Sequence, residues 1–213
     1  MMRIAFDLDG TLIHSAPGIR SAINAVLEEL GAEALSLAQV TGFIGNGTLK
    51  LVERSLRASG LAAEGAALEA AHERLGAVYG ADPTRETTLF PGVRGALDSL
   101  KAQGHSLTIC TNKPAGPARD ILKHFAIDGY FDLVVGGDSL PTRKPEPEML
   151  HKALCGGDTV AYVGDSDVDA ETARRAEVRF GLFTEGYRHA SVDALAPDFR
   201  FSDFAALPAL VAG

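Results

Sequence analysis

The residues able to do chemistry in this 213-residue chain stand just after short apolar runs. Ile4 to Phe6 is followed by Asp7-Leu8-Asp9-Gly10-Thr11, so two carboxylates lie one residue apart at the end of an expected strand. Like charges that close cost free energy to desolvate, and something must compensate them. Ser106 to Cys110 is followed by Thr111-Asn112-Lys113-Pro114. Phe131 to Val135 leads into Gly136-Gly137-Asp138 and then Arg143-Lys144-Pro145, and Val160 to Val163 into Gly164-Asp165-Ser166-Asp167-Val168-Asp169. If these strand ends share one edge of a sheet, carboxylates, a hydroxyl, an amide, a lysine and helix-start N–H groups converge. Such a set suits a divalent, oxygen-preferring cation together with a phosphoryl group, and magnesium bridges protein carboxylates to phosphate in this way. The cation also lets Asp7 and Asp165 stay ionised side by side.

Each motif has a plainer reading when taken alone. Asp9-Gly10 after an apolar run is a hairpin signal. Thr111 could cap a helix and Lys144 could be a solvated lysine. Asp165, Asp167 and Asp169 mimic the first, third and fifth positions of an EF-hand loop, but Ala170 stands where the turn needs Gly and Ala176 where it needs a bidentate Glu. That reading fails, and Asp167 is then expected as an exposed acid at a helix start. The six histidines are scattered without metal-ligand spacing. Cys110 and Cys155 lack C-x-x-C spacing and read as small core residues in a reducing compartment.

The elements that must position these motifs alternate. Short runs at Ile4 to Phe6, Ser106 to Cys110, Phe131 to Val135, Val160 to Val163 and Phe180 to Phe183 are separated by amphipathic stretches such as Val93 to Gln103, Ala115 to Phe125 and Glu146 to Leu154. The pattern predicts an α/β fold, a Rossmann-like parallel sheet with helices on both faces. After the first strand the chain is Ala-rich and helical instead, over Gly18 to Leu30, Leu37 to Phe43, Thr48 to Ser59 and Glu64 to Tyr79. Pro17 suits a helix's first turn, Gly31 its end. The organisation expected is a core from residues 1–14 and 85–213 with a helical cap domain, 15–84, inserted after the first strand. A net charge of -8 without a Lys or Arg block argues against nucleic acid or an anionic membrane as partner. No run approaches a membrane span, and the expected setting is the cytoplasm.

Asp7-Leu8-Asp9-Gly10-Thr11, Thr111-Asn112, Lys144 before Pro145, and Gly164-Asp165-Ser166 followed by Asp169 resemble the four motifs of the haloacid dehalogenase superfamily, in order and over nearly the full length. Leu12 to Pro17, Gly42 to Arg54, Thr111 to Pro114 and Gly136 to Pro147 are similar to the phosphoglycolate phosphatase branch, whose helical cap follows the first strand. The resemblance implies a phosphatase acting through an aspartyl-phosphate on a small phosphorylated metabolite, 2-phosphoglycolate in that branch. It implies Asp7 as nucleophile, Asp9 as general acid and base, and Thr111 and Lys144 as their catalytic companions. Mg2+ would be held by Asp7, the Asp9 carbonyl and Asp165, with Asp169 completing the metal site by orienting a water or Lys144. Thr11 and Asn112 are expected at the substrate in the core, and Gly45, Asn46, Gly47 and Arg54 in the cap. Asn46 could equally be a helix cap.

The superfamily also leaves open a sugar phosphomutase or another small-metabolite phosphatase. A receiver-type phospho-acceptor module shares acids, a Thr and a Lys around magnesium, but has no need of a large helical insert. The chain departs from the family at His14 and Gly18, where Asp is frequent, and at Glu177, where Gly is common.

Overall fold

The computed structural model describes residues 2–155, 157 and 160–212. Strand β1 (Arg3–Phe6) is apolar throughout its buried length because both faces of its sheet are covered. The two-residue period of a strand divides it: Ile4 and Phe6 join one apolar cluster, Ala5 the cluster on the opposite face. Next come β2 (Ile13–His14) and four helices, α1 (Ala16–Glu29), α2 (Leu37–Thr41), α3 (Thr48–Ala58) and α4 (Gly65–Ala81). The chain then forms β3 (Thr88–Leu89), α5 (Val93–Ala102), β4 (Ser106–Cys110), α6 (Ala115–His124), β5 (Phe131–Val135) and α7 (Glu148–Leu154). It finishes with β6 (Val160–Gly164), α8 (Asp167–Ala176), β7 (Arg179–Phe183), α9 (Val192–Leu195), β8 (Phe199–Phe201) and α10 (Leu207–Ala212).

Six strands make one wholly parallel sheet in the order β5-β4-β1-β6-β7-β8, while β2 pairs with β3 apart from it. The strand order reverses around β1, and in such sheets ligands bind beyond the carboxyl ends at that reversal. Phe6 lies level with Ile109 of β4 and Val163 of β6, so Asp7, Thr111 and Asp165 all leave the sheet at one edge. One face is packed by Leu97 and Leu100 of α5 and Ile121 of α6, the other by Met149 and Leu150 of α7 and Ala173 of α8. Each of these Leu, Ile and Met side chains, fully buried, contributes ~1.5–3 kcal/mol.

The chain divides into two compact units, Met1–His14 with Leu89–Gly213, and Ser15–Thr88. The first is the α/β core, the second an all-helical cap domain inserted after the first strand. The cap has its own apolar centre, built from Ile23, Val26 and Leu27 of α1, Val40 of α2, Val52 and Leu56 of α3 and Leu75 of α4. Pro17 sits in the first turn of α1, and Gly31, at φ +74°, follows its end. A Cβ added at Gly18 would lie 2.1 Å from the Arg85 carbonyl oxygen, which accounts for the missing side chain there.

Three sequence expectations are corrected. Helix α7 starts at Glu148 rather than Glu146, because Pro147 keeps the residue before it out of the helical region. Strand β8 was not foreseen: its Phe-Arg-Phe alternates buried, exposed, buried over too short a run to stand out. Cys110 is a core residue, its thiol pushed up to about 12 by burial, but Cys155 is exposed.

Candidate active site

The loop after β1 shows why two carboxylates can follow a buried strand. The Asp7 N–H still donates to the Val163 carbonyl (2.9 Å), and the Leu8 carbonyl then accepts from the N–H groups of Leu12 (3.0 Å) and Ile13 (3.1 Å). Leu8 points into the apolar core, so Asp7 and Asp9, one residue to either side, project the other way. Gly10 is required twice over. Its φ is +92°, and an added Cβ would lie 2.4 Å from Asp165 Oδ2. The turn signal at Asp9-Gly10 and the chemical signal are thus one feature.

Lys144 is the hub. Its ammonium donates to Asp7 Oδ1 (2.8 Å), Asp169 Oδ1 (2.7 Å) and the Tyr162 hydroxyl (2.8 Å), with its side chain only 3% exposed. Burial works against that charge, but Asp169 and Asp7 outweigh it and raise the lysine's pKa above its ordinary value. The solvated-lysine reading is therefore excluded. Asp169 accepts from Lys144 and Tyr162 (2.6 Å) on Oδ1, and from the N–H groups of Asp165 and Ser166 and the Ser166 hydroxyl (2.6 Å) on Oδ2. Ser166 caps α8 in return, accepting from the Asp169 N–H. Burial opposes the Asp169 charge, yet Lys144, Ser166 and Tyr162 hold its carboxyl below the usual range.

Asp165 receives the Thr11 hydroxyl on Oδ1 (2.6 Å) and the Tyr187 N–H on Oδ2 (2.7 Å). These bonds do not offset burial and the nearby charges of Asp169 and Asp7, so its carboxyl is pushed well above the usual range. Asp7 is pushed up to about 6 by burial, against the pull of Lys144. The lysine's charge is matched by Asp169, which leaves Asp7 and Asp165 as two buried carboxyls in want of a cation. Oxygens of Asp7, Asp165 and Asp169 lie within 4.8 Å of one another, an all-oxygen donor set that fits a hard divalent ion. Both Asp169 oxygens also accept N–H and O–H donors, and through Oδ1 Asp169 holds Lys144 in place beside Asp7.

Two residues expected at the substrate, Thr11 and Asn112, take hydrogen-bond partners within the protein. Thr11 is fully buried on Asp165, and Asn112 spends its amide on the Lys144 backbone, accepting from N–H and donating to C=O at 3.0 Å each. Thr111 does not cap α6; its hydroxyl accepts from the Lys113 N–H (3.3 Å). Asp167 is half-buried and accepts from the N–H groups of His189 (2.8 Å) and Ala190 (3.0 Å), anchoring the segment after β7 rather than standing in solvent. Lys113, Tyr162 and Tyr187 were missed. Only Lys113 carried a signal, a cation in a strand-end loop.

In the cap, Gly45, Asn46 and Gly47 lead into α3, whose N-cap is Gly47 rather than Asn46. Arg54 donates to the Phe43 carbonyl (3.1 Å), tying α3 to the same segment, and Lys50 is ion-paired with Glu53 (2.6 Å).

A doubly wound parallel sheet, interrupted after its first strand by a helical unit and carrying lysine-bridged carboxylates at its edge, is an architecture suited to a hydrolase. Residues 4–183 match the model of the haloacid dehalogenase-like hydrolase family, and the chain belongs to that family. It is 48% identical to a phosphoglycolate phosphatase of Cereibacter sphaeroides, over 99% of this chain and 98% of that protein. It is 44% identical to the phosphoglycolate phosphatase of Rhodobacter capsulatus, over 99% and 96%. The crystal structure of a predicted phosphoglycolate phosphatase from Haemophilus somnus superposes with a TM-score of 0.90 at 32% identity, covering 97% of this chain and 96% of that one.

Proposed function

We propose that this chain is a magnesium-dependent phosphomonoester hydrolase whose substrate is 2-phosphoglycolate. The observation that carries the chemistry is Lys144 bridging Asp7 and Asp169 at 2.8 and 2.7 Å at the end of β1. The full-length likeness to phosphoglycolate phosphatases supports the substrate.

Asp7 attacks phosphorus through a carboxylate oxygen, and the bond from phosphorus to the substrate's ester oxygen breaks. Asp9 gives its proton to the departing alkoxide. It then takes a proton from water, whose oxygen attacks the aspartyl-phosphate, releasing phosphate and restoring Asp7. Lys144 holds the Asp7 carboxylate in place for attack and balances charge as the phosphoryl group transfers. The Thr111 hydroxyl, beside β1 at the sheet edge, serves the phosphoryl oxygens. Asp7, Asp165 and the Asp9 carbonyl would hold Mg2+, which when bound supplies positive charge for the phosphoryl oxygens. The two free cysteines favour the cytoplasm as its setting, and no described helix is long and apolar enough to cross a membrane.

The test is phosphate release from a panel of small phosphomonoesters with magnesium. The proposal expects 2-phosphoglycolate to give the highest kcat/KM. Isomerisation of a sugar phosphate without phosphate release would replace it with a mutase, and a long-lived acyl-phosphate without turnover would replace it with a signalling module.

A further inference from the structure

Lys144 serves Asp7, and a second buried lysine stands on the other aspartate. Lys113 Nζ lies 3.0 Å from Asp9 Oδ1 and 3.1 Å from Oδ2, with the lysine side chain 4% and the aspartate side chain 13% exposed. We propose that Lys113 is the positioning residue of Asp9, fixing the plane and direction of the carboxyl that exchanges protons with the leaving group and with water. The proposal rests on the reading of Asp9 as general acid and base.

The backbone under Lys113 is built to aim it. Its N–H donates to the Thr111 hydroxyl (3.3 Å), and its carbonyl accepts from the Gly137 N–H (2.9 Å). Pro114 follows at φ -55° as the N-cap of α6. Gly137 passes so close that an added Cβ would lie 2.3 Å from the Asn112 carbonyl oxygen, so the loops after β4 and β5 lock together beneath the lysine. A lysine stem normally loses much conformational freedom when held in one geometry, which is why exposed ion pairs contribute little. Here the stem is confined by burial and the head grips both carboxylate oxygens, so the pair can orient a group whose chemistry depends on direction. Asp9 needs that help, since it sits on a turn and not within the sheet.

A positioning role predicts a dependence on the leaving group that a purely structural lysine would not show. An alkoxide needs a proton as its bond to phosphorus breaks, whereas 4-nitrophenolate departs without one. The experiment measures phosphoenzyme formation in the pre-steady state, with magnesium, for wild type, Lys113→Met, Lys113→Gln and Lys113→Arg. Substrates are 2-phosphoglycolate, ethylene glycol monophosphate and 4-nitrophenyl phosphate. The expected result is a fall of at least about tenfold for both alkyl esters in the Met and Gln variants, within about threefold of wild type for the aryl ester, and partial recovery with Arg. An equal loss on alkyl and aryl esters overturns the proposal in favour of a structural lysine. A loss confined to 2-phosphoglycolate, seen mainly in KM, overturns it in favour of a lysine that reads the substrate's carboxylate. If wild type prefers another alkyl phosphate, the substrate assignment fails, and the same alkyl-to-aryl ratio still decides the role of Lys113.

Discussion

Asn112 and Lys144 exchange two hydrogen bonds, the asparagine amide donating to the lysine carbonyl and accepting from its N–H at 3.0 Å each. A side-chain amide here does what a neighbouring strand's peptide would do, and it joins the loop after β4 to the loop that carries the lysine. Replacing it with Ala leaves a buried N–H and a buried C=O without these partners, at a cost of about 1–3 kcal/mol each. Asn112→Ala is expected to lower urea stability by about 2–6 kcal/mol and kcat at least about tenfold, with a smaller change in KM. Urea melts and steady-state phosphate release check both. Lost stability with unchanged kcat would mean that the pairing serves only the fold.

The two aspartates after β1 should separate by variant. Asp7→Asn removes the nucleophile and is expected to abolish turnover. Asp9→Asn keeps the backbone carbonyl and leaves Asp7 and Asp165 intact, so metal binding should persist while turnover falls at least about a hundredfold. Calorimetric titration with magnesium beside rapid-quench assays distinguishes the two. Full activity in Asp7→Asn would falsify the mechanism.

The central strands β1 and β6 were legible in the sequence because they are buried on both faces and read as short apolar runs, and β4 and β5 begin and end where expected. The carboxylates were legible because charge at a strand end is costly without a purpose, and Lys144 because it stands before Pro145 as in the family's motif. What stayed hidden was the use of neutral polar groups. Tyr162 reads as one more strand residue, and only the position of its hydroxyl, 2.6 Å from Asp169, makes it part of the site. Tyr187 acts through its backbone N–H, for which no side-chain pattern exists. Thr11 and Asn112 were legible as polar groups at the sheet edge, but spacing does not show the Asp165 and Lys144 partners that they take there.

Metal binding should follow the protonation of Asp7. Burial raises its carboxyl to about 6 in the metal-free protein, above the 3.8 of an ordinary aspartate. The native state therefore binds this proton more tightly than the unfolded chain, and the contribution of Asp7 to metal-free stability falls as pH rises from 3.8 towards 6. A cation competes with that proton and with the one on Asp165, whose carboxyl burial also raises, so magnesium affinity should rise as pH increases through about 6. Thermal midpoints with and without magnesium, taken from about pH 5 to about pH 8, should diverge as pH increases. A constant gap would remove Asp7 from the ligand set.

Glu177 ends α8 in the left-handed region, at φ 56° and ψ 41°, and its N–H donates to the Arg174 carbonyl (3.3 Å). A side chain costs about 1–2 kcal/mol in that conformation, while Gly adopts it without strain and loses some of the gain through a freer unfolded state. Glu177→Gly is therefore expected to raise stability by about 0.5–1 kcal/mol. The site should not feel the change, because Ser166 and Asp169 fix the other end of α8 by their mutual capping bonds. Urea denaturation beside kcat/KM checks both halves. A gain in stability with lost activity would show that the strain at Glu177 is transmitted along the helix to Asp169.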